Sequence, residues 1–474
     1  MLALIQLLLG LHFGWCAQNN AFWYYTDLNV DLQYEIEDDT DLWGAYDNDT
    51  SRIVAFTGIE MGNDLGYAEN EPSFVIWGGN AAPNSQKVGQ KEITEALKWT
   101  AYELKHAFNP KRIPVYPLLG ETDVYPFGSM SPDTNNKQRE QLCASLYNEK
   151  DLWQQWFKKL EKTPKTFPKS NFSKVCYFAA PVPNNTRITV MALNSLVWYV
   201  GNDKIDTKNK DPLGQFEWMQ KVLKWSKDQK GKVIIVSHFP IGALEQSPDV
   251  KYLHPVYNKK LVNILLNYSD SIMTVLSSHE RVDTFKILLN ESNCPVGSIF
   301  LNPSVSPKAI GKVDSSNPRI RRYNFSADSY VIEDYRQYWL DLSKKAPGWD
   351  IEYEAKKTYN FRNMSTLELV TLLDEFTESD EGRWKTYWNH ELGSRPHKSD
   401  ADCSRARSKC RCQHICAMRN VDFDRLKDCL KICDSSKNPK LDTISKMCWG
   451  THDSAAIPSP KLWLLPLLIM LIRL

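Results

Sequence analysis

The residue types that hold metals and move protons fall in five short stretches: Asp27-Leu28-Asn29, Gly78-Gly79-Asn80, Gly120-Glu121-Thr122-Asp123, Ser237-His238 and Ser278-His279. Each follows an apolar or β-branched run that reads as a strand. Carboxylates and imidazoles at strand ends suit divalent-metal binding and acid–base chemistry. Other chemistries lack their residues. No Gly-x-Ser-x-Gly elbow presents a nucleophilic serine, and no Gly-rich loop with a lysine cradles a phosphate.

The elements that must position these loops alternate. Strands are expected at 22–28, 53–57, 74–77, 113–118, 175–179, 188–193, 233–237, 271–276, 298–301 and 330–333, and helices at 91–106, 150–160, 213–227 and 259–266. Such alternation predicts an α/β sheet architecture, in which chemistry gathers at the carboxyl ends of strands. Segments 126–140 and 202–212 read as polar loops. From about residue 346 the pattern turns helical, at 351–359, 366–376 and 381–389. Asp123 and Asp283 read as loop caps and solvated charges; His106, His254, His390 and His397 belong to no motif.

The 474 residues carry 58 Lys+Arg against 57 Asp+Glu, a net charge of +1. No basic excess draws the chain to nucleic acid, and no such partner is expected. A hydrophobic fraction of 42% excludes a disordered chain. The apolar run 2–15 is too short to span a bilayer, so residues 1–17 read as a signal peptide. A second apolar run, 462–474, follows Ser454, Ala455, Ala456 and a short spacer. Residues 454–474 therefore read as a glycosylphosphatidylinositol (GPI)-anchor signal or a hydrophobic tail. Seven of the 11 cysteines crowd into 403–448. Cys412 and Cys416, like Cys429 and Cys433, are spaced to share a helix face. This suggests two helices laced by disulfides, with a zinc site as the rival. Sequons at Asn48, Asn171, Asn184, Asn267, Asn290, Asn324 and Asn363 agree with a secreted glycoprotein.

The strand-end loops resemble those of the calcineurin-like metallophosphoesterases, and more closely the acid sphingomyelinases and acid sphingomyelinase-like phosphodiesterases. The likeness runs from about residue 22 to 390. It includes Trp77-Gly78-Gly79-Asn80, Ser237-His238-Phe239-Pro240, Ser278-His279-Glu280-Arg281 and Asn302-Pro303-Ser304-Val305-Ser306. It implies a four-layer α-β-β-α sandwich over 22–345. A helical C-terminal subdomain is expected over 346–450, with the Cys-rich module 403–448 inside it. The likeness also implies a site for two zinc ions bridged by a carboxylate. Asp27, His238 and His279 match that pattern. The rest of the site departs from it. Asn29 stands for a His, Asn80 for the bridging Asp, Glu121 and Thr122 for an Asn-His pair, and Arg281 for the last His. Asn84 falls near the His that protonates the leaving group.

These departures share one physical direction. An amide supplies no anion to bridge two dications, and a guanidinium sets a fixed charge where a metal should sit. The expectation is that Arg281 replaces the first metal and pairs with Asp27, leaving no cofactor and no catalytic residue. Such a relative would act at the cell surface or outside the cell. It would be held to the membrane by a lipid anchor and would bind a lipid headgroup, a phospho-compound or a protein. The alternative keeps one zinc on Glu121, His238 and His279, in a zinc-dependent phosphodiesterase of sphingomyelin or nucleotides.

Overall fold

The computed structural model describes residues 20–35, 41–68, 71–183, 185–378, 381–395 and 403–449. The signal-peptide and tail segments, the Asn184 sequon and His397 lie outside the described residues.

Two six-stranded sheets form the centre. The first contains β1 (Asn20–Tyr25), β2 (Phe74–Trp77) and β3 (Val115–Pro117), with β10 (Arg319–Phe325), β11 (Ile332–Leu340) and β12 (Trp349–Glu354). Its order is β12-β11-β10-β1-β2-β3, with β1, β2 and β3 parallel and the others antiparallel. The second contains β4 (Phe178–Val182), β5 (Asn185–Ala192), β6 (Lys232–Ser237), β7 (Ile272–Ser277), β8 (Thr284–Leu289) and β9 (Pro295–Leu301). Its order is β4-β5-β6-β7-β9-β8, with β5, β6, β7 and β9 parallel.

The sheets face each other. Tyr116 of β3 stacks on Phe178 of β4 with centroids 6.2 Å apart, and Phe300 of β9 meets Tyr323 of β10 at 6.0 Å. Helices cover the outer faces. Arg52–Ala68 packs on the first sheet and Gln215–Asp228 on β6, which gives four layers, α-β-β-α. Strands buried on both faces read as continuous apolar runs, as Val233 to Val236 do.

Residues 53–57 form no strand but open the helix Arg52–Ala68. Buried positions recur at Val54, Gly58 and Gly62, a helical period that overrides the β-branched composition. The glycines permit contact: a Cβ at Gly62 would lie 2.0 Å from the Tyr25 hydroxyl, and one at Gly58 2.7 Å from Trp349. Residues 351–359 begin as β12, paired to β11, so the first sheet reaches past residue 346. The polar stretch 126–140 ends in the helix Lys137–Asn148, N-capped by Asn136. Strands β8, β10 and β12 escaped the sequence reading, because Lys286, the arginines of β10 and the acids of β12 break the apolar pattern.

The C-terminal region is helical, with Thr366–Glu378, Glu381–Glu391, Lys409–Arg419 and Phe423–Asp434. The last two form a hairpin laced by Cys412–Cys433 and Cys416–Cys429. Cys143–Cys176, Cys294–Cys448 and Cys403–Cys410 complete five disulfides among the described residues. Cysteines paired in this way leave no thiolates for the rival zinc site. Cysteine usage of this kind fits the secretory pathway. No helix among the described residues is long and apolar enough to cross a membrane.

Candidate functional site

Parallel strands from both sheets end at one place. Asp27 and Asn29 follow β1, Asn80 follows β2, Glu121 and Thr122 follow β3, His238 follows β6, and His279 and Arg281 follow β7. Asp27, Asn29, Asn80, His279 and Arg281 all have positive φ, between 41° and 67°. Non-glycine residues held there carry local strain, a frequent property of functional loops. The backbone of the site is thus set by the fold whatever its side chains bind.

Three polar side chains gather at Glu121. His238 Nε2 lies 2.7 Å from Glu121 Oε2, and His279 Nδ1 lies 3.1 Å from Oε1. His238 Nδ1 sits 2.7 Å from the Gly78 carbonyl oxygen. Both His238 nitrogens therefore face acceptors, which favours the imidazolium while no metal is bound. Burial opposes that charge, but the Glu121 carboxylate overcomes it and pushes His238 up to about 9. Burial also works against ionised Glu121, yet the His279 and His238 charges hold it well below the usual carboxylate range.

Asn80 fills the space between the carboxylates. Its side-chain nitrogen donates to Asp27 Oδ1 at 2.8 Å and to Glu121 Oε1 at 2.9 Å. Its oxygen accepts from the Thr122 amide at 3.0 Å. Both amide protons are committed, so the group that should bridge two metals instead bridges two acids. Asp123 caps this turn, accepting from the Asn80, Ala81 and Gly120 amides at 2.7–2.8 Å. It is fully buried rather than solvated, and burial outweighs those bonds to raise it to about 6.

Arg281 lies on the other side of Asp27. Its Nε is 3.8 Å from Asp27 Oδ1. Nη2 donates to Asn29 Oδ1 at 2.7 Å, and Nη1 to Ser306 Oγ at 3.2 Å and the Lys308 carbonyl at 2.9 Å. The guanidinium thus neutralises Asp27 and is itself enclosed. The Lys308 ammonium pairs with Asp49 at 2.7 Å and bonds the Asn84 carbonyl at 3.0 Å. Asn84 meets this chain through its backbone, and its amide joins none of the cluster. On the opposite flank, Tyr252 and Phe239 stand edge-on to His279 at 4.5 and 4.7 Å, with Tyr199 stacked on Phe239. Asp27, Asn29, Asn80, Glu121, Thr122, Asp123, His238, His279 and Arg281 are each at most 3% exposed.

These residues do not fit two bridged metals: the bridging oxygen is an amide hydrogen-bonded to Thr122, and a cation already neutralises Asp27. Glu121, His238 and His279 do fit one. Their ligand atoms lie within 4.8 Å of one another. With Nδ1–H kept on the Gly78 carbonyl, loss of the Nε2 proton would leave that nitrogen of His238 to face a metal.

Sequence reasoning grouped these loops but missed Ser306, Lys308 and Asp49. Ser306 stood in a quoted stretch of the likeness without a role. Lys308 and Asp49 meet across 259 residues of chain and left no signal. Asp283 is no solvated charge: it is buried, paired with Arg321 and bonded by the Tyr353 hydroxyl.

The family model "Acid sphingomyelin phosphodiesterase C-terminal region" matches residues 294–436. The chain is 28% identical over 434 residues to the cyclic GMP-AMP phosphodiesterase SMPDL3A of Homo sapiens, covering 86% of this chain and 90% of that one. It is 24% identical to the human acid sphingomyelinase-like phosphodiesterase 3b, covering 90% and 93%. It is 26% identical to sphingomyelinase phosphodiesterase C of Dictyostelium discoideum, covering 74% and 81%. Among solved structures, a dimetal phosphatase from Danio rerio aligns at 13% identity with a TM-score of 0.43, covering 68% of this chain and 95% of that one.

Proposed function

We propose that this chain, a relative of the acid sphingomyelinase-like phosphodiesterases of the metallophosphoesterase superfamily, is an extracellular binding protein whose hydrolytic centre has been replaced by an internal ion-pair network. One observation carries the reading: the Asn80 amide donates to both Asp27 and Glu121, while Arg281 neutralises Asp27 from the other side. Those carboxylates are the anions a dinuclear centre needs, and here protein groups satisfy them. Burial of the cluster supports the same reading, since a phosphodiester must reach the groups that cleave it. Both terminal nitrogens of Arg281 are bonded, to Asn29, Ser306 and Lys308, and the guanidinium is buried, so an outer surface is the better place for a partner than the old cleft. The tail at 454–474 would hold the protein to the membrane through a lipid anchor.

The test is zinc analysis of the secreted protein together with hydrolysis of a chromogenic phosphodiester at acidic and neutral pH, with zinc supplied. Neither bound zinc nor turnover is expected. Release of the protein from cells by a phosphatidylinositol-specific phospholipase tests the anchor.

The bond between His238 Nδ1 and the Gly78 carbonyl, which leaves Nε2 to face a metal once deprotonated, supports a second reading, an active phosphodiesterase. Glu121, His238 and His279 would hold a single zinc ion, which supplies Lewis-acid activation of a phosphoryl oxygen or of water. The chain's own share would be to orient His238 through Gly78 and to exclude water with Phe239 and Tyr252. One equivalent of zinc, lost together with turnover in His279→Ala, would establish this reading in place of the first.

A further inference from the structure

At the opposite ends of the strands lies a cleft of about 710 Å³ with a different chemistry. Lys111, Lys150, Lys158 and Lys162 line it and no acid does. They come from three places: the turn before β3, the start of the loop before the helix Gln154–Leu160, and that helix with its C-terminal turn. All four are exposed. Lys159 is the exception, its ammonium tied to the Lys111 and Arg112 carbonyls. Leu160, Pro181 and Val182 supply an apolar floor.

The acids around the rim face elsewhere. Glu149 and Asp151 lie 3.3 and 3.8 Å from Lys98, Glu71 pairs with Arg112 at 2.8 Å, and Glu161 takes the Tyr147 hydroxyl. Among the described residues no carboxylate pairs with any of the four lysines. A chain of net charge +1 thus concentrates unpaired positive charge in one concave place. Like charges held together oppose folding, and a polyanion relieves that repulsion on binding.

We propose that this cleft binds an extracellular sulfated polysaccharide. Lysines are point charges that suit sulfates spread along a chain, whereas a single phosphate group is better held by an arginine fork. The apolar floor suits the C–H faces of sugar rings. It lacks any aromatic side chain, and single-stranded nucleic acid depends on aromatic stacking. The cleft adjoins β4, at one edge of the second sheet, while the hairpin helix Lys409–Arg419 packs on β8 at the other. Five strand spacings, about 24 Å, separate those edges. The cleft and the cysteine-laced hairpin thus lie at opposite edges of the second sheet. The proposal is independent of whether the cluster around Glu121 binds zinc.

The experiment measures binding of a heparin dodecasaccharide, by calorimetry and by salt elution, to the secreted protein with and without Asn184→Gln, which removes a sequon set between the cleft residues Pro183 and Thr186. The variant combines Lys111→Gln, Lys150→Gln, Lys158→Gln and Lys162→Gln. A control combines Lys208→Gln, Lys210→Gln, Lys227→Gln and Lys230→Gln, exposed lysines elsewhere. Expected are binding that weakens with salt, loss on desulfating the probe, and a drop of about tenfold or more in the cleft variant alone. Unchanged melting temperatures would show both variants folded. Equal binding by the cleft variant, an equal loss in the control, or preference for phosphatidylserine vesicles or oligothymidylate over heparin would overturn the proposal.

Discussion

Arg281 Nε lies 3.8 Å from Asp27 Oδ1, and both side chains are buried. A buried carboxylate needs a cation, and here the chain supplies it covalently from the loop after β7. Removing one partner of such a pair strands the other. Arg281→Ala is expected to destabilise the protein by about 3–5 kcal/mol. Adding Asp27→Asn should return part of that loss. Chemical denaturation measures both, and a single-variant loss below about 1 kcal/mol would mean the pair does not hold the site together.

Asn80 gives a second prediction. Asn80→Asp removes two amide donors and sets a third acid against Asp27 and Glu121. Its expected cost in metal-free buffer is about 3 kcal/mol or more. Zinc should recover none of it while Arg281 remains, and part of it when Arg281→His is added. Denaturation with and without zinc makes the comparison, and recovery in the single variant would contradict the account of Arg281.

The triad predicts a pH dependence. His238 titrates near 9 in the folded protein against an ordinary 6.5, so its stabilisation is complete below 6.5 and is lost as pH rises through 9. Glu121 is depressed below its ordinary 4.5, so its contribution is present above 4.5 and is lost as pH falls through that lower value. The site is therefore most stabilising between 4.5 and 6.5. With chelator present, stability should fall on the order of 3 kcal/mol between those pH regimes on the alkaline side. His238→Gln should flatten the slope. Unfolding curves across that range are the check, and an equal slope in the variant would assign the effect to other groups.

Another buried ion pair lies inside the sandwich. The Lys286 ammonium lies 2.8 Å from Glu245 Oε1 and 2.5 Å from the Ala243 carbonyl. Burial and the neighbouring carboxylates keep Glu280 and Glu391 well above the usual carboxylate range. Lys286→Met leaves the buried Glu245 carboxylate without its cation and is expected to cost about 3–5 kcal/mol. A melting temperature within a degree or so of wild type would refute that role.

Cys294–Cys448 ties β9 to the end of the described chain across 154 residues. Replacing both cysteines with serine should cost about 2–5 kcal/mol, mainly by freeing the unfolded chain. Protease release of the C-terminal helices should rise with it, which limited proteolysis followed by mass analysis reports.

The sequence by itself determined the layout. Periodic apolar runs marked most of the parallel strands, and the polar residues just past them marked Asp27, Asn80, Glu121, His238 and His279. It also determined which charges the site lost, because Asn80 and Arg281 have fixed chemistry wherever they sit. Where the apolar pattern was broken, at Lys286 in β8 or the arginines of β10, the strands stayed hidden until their neighbours supplied the pairing. Tertiary structure alone decided what those residues do to one another. Whether Arg281 reaches Asp27, and whether Asn80 turns its protons toward two acids, depends on loops brought together from distant parts of the chain. So does the gathering of Lys111 with Lys158, since a nearly neutral composition hides local charge. Local periodicity is written along the chain, whereas electrostatic partnership is set by distance in space.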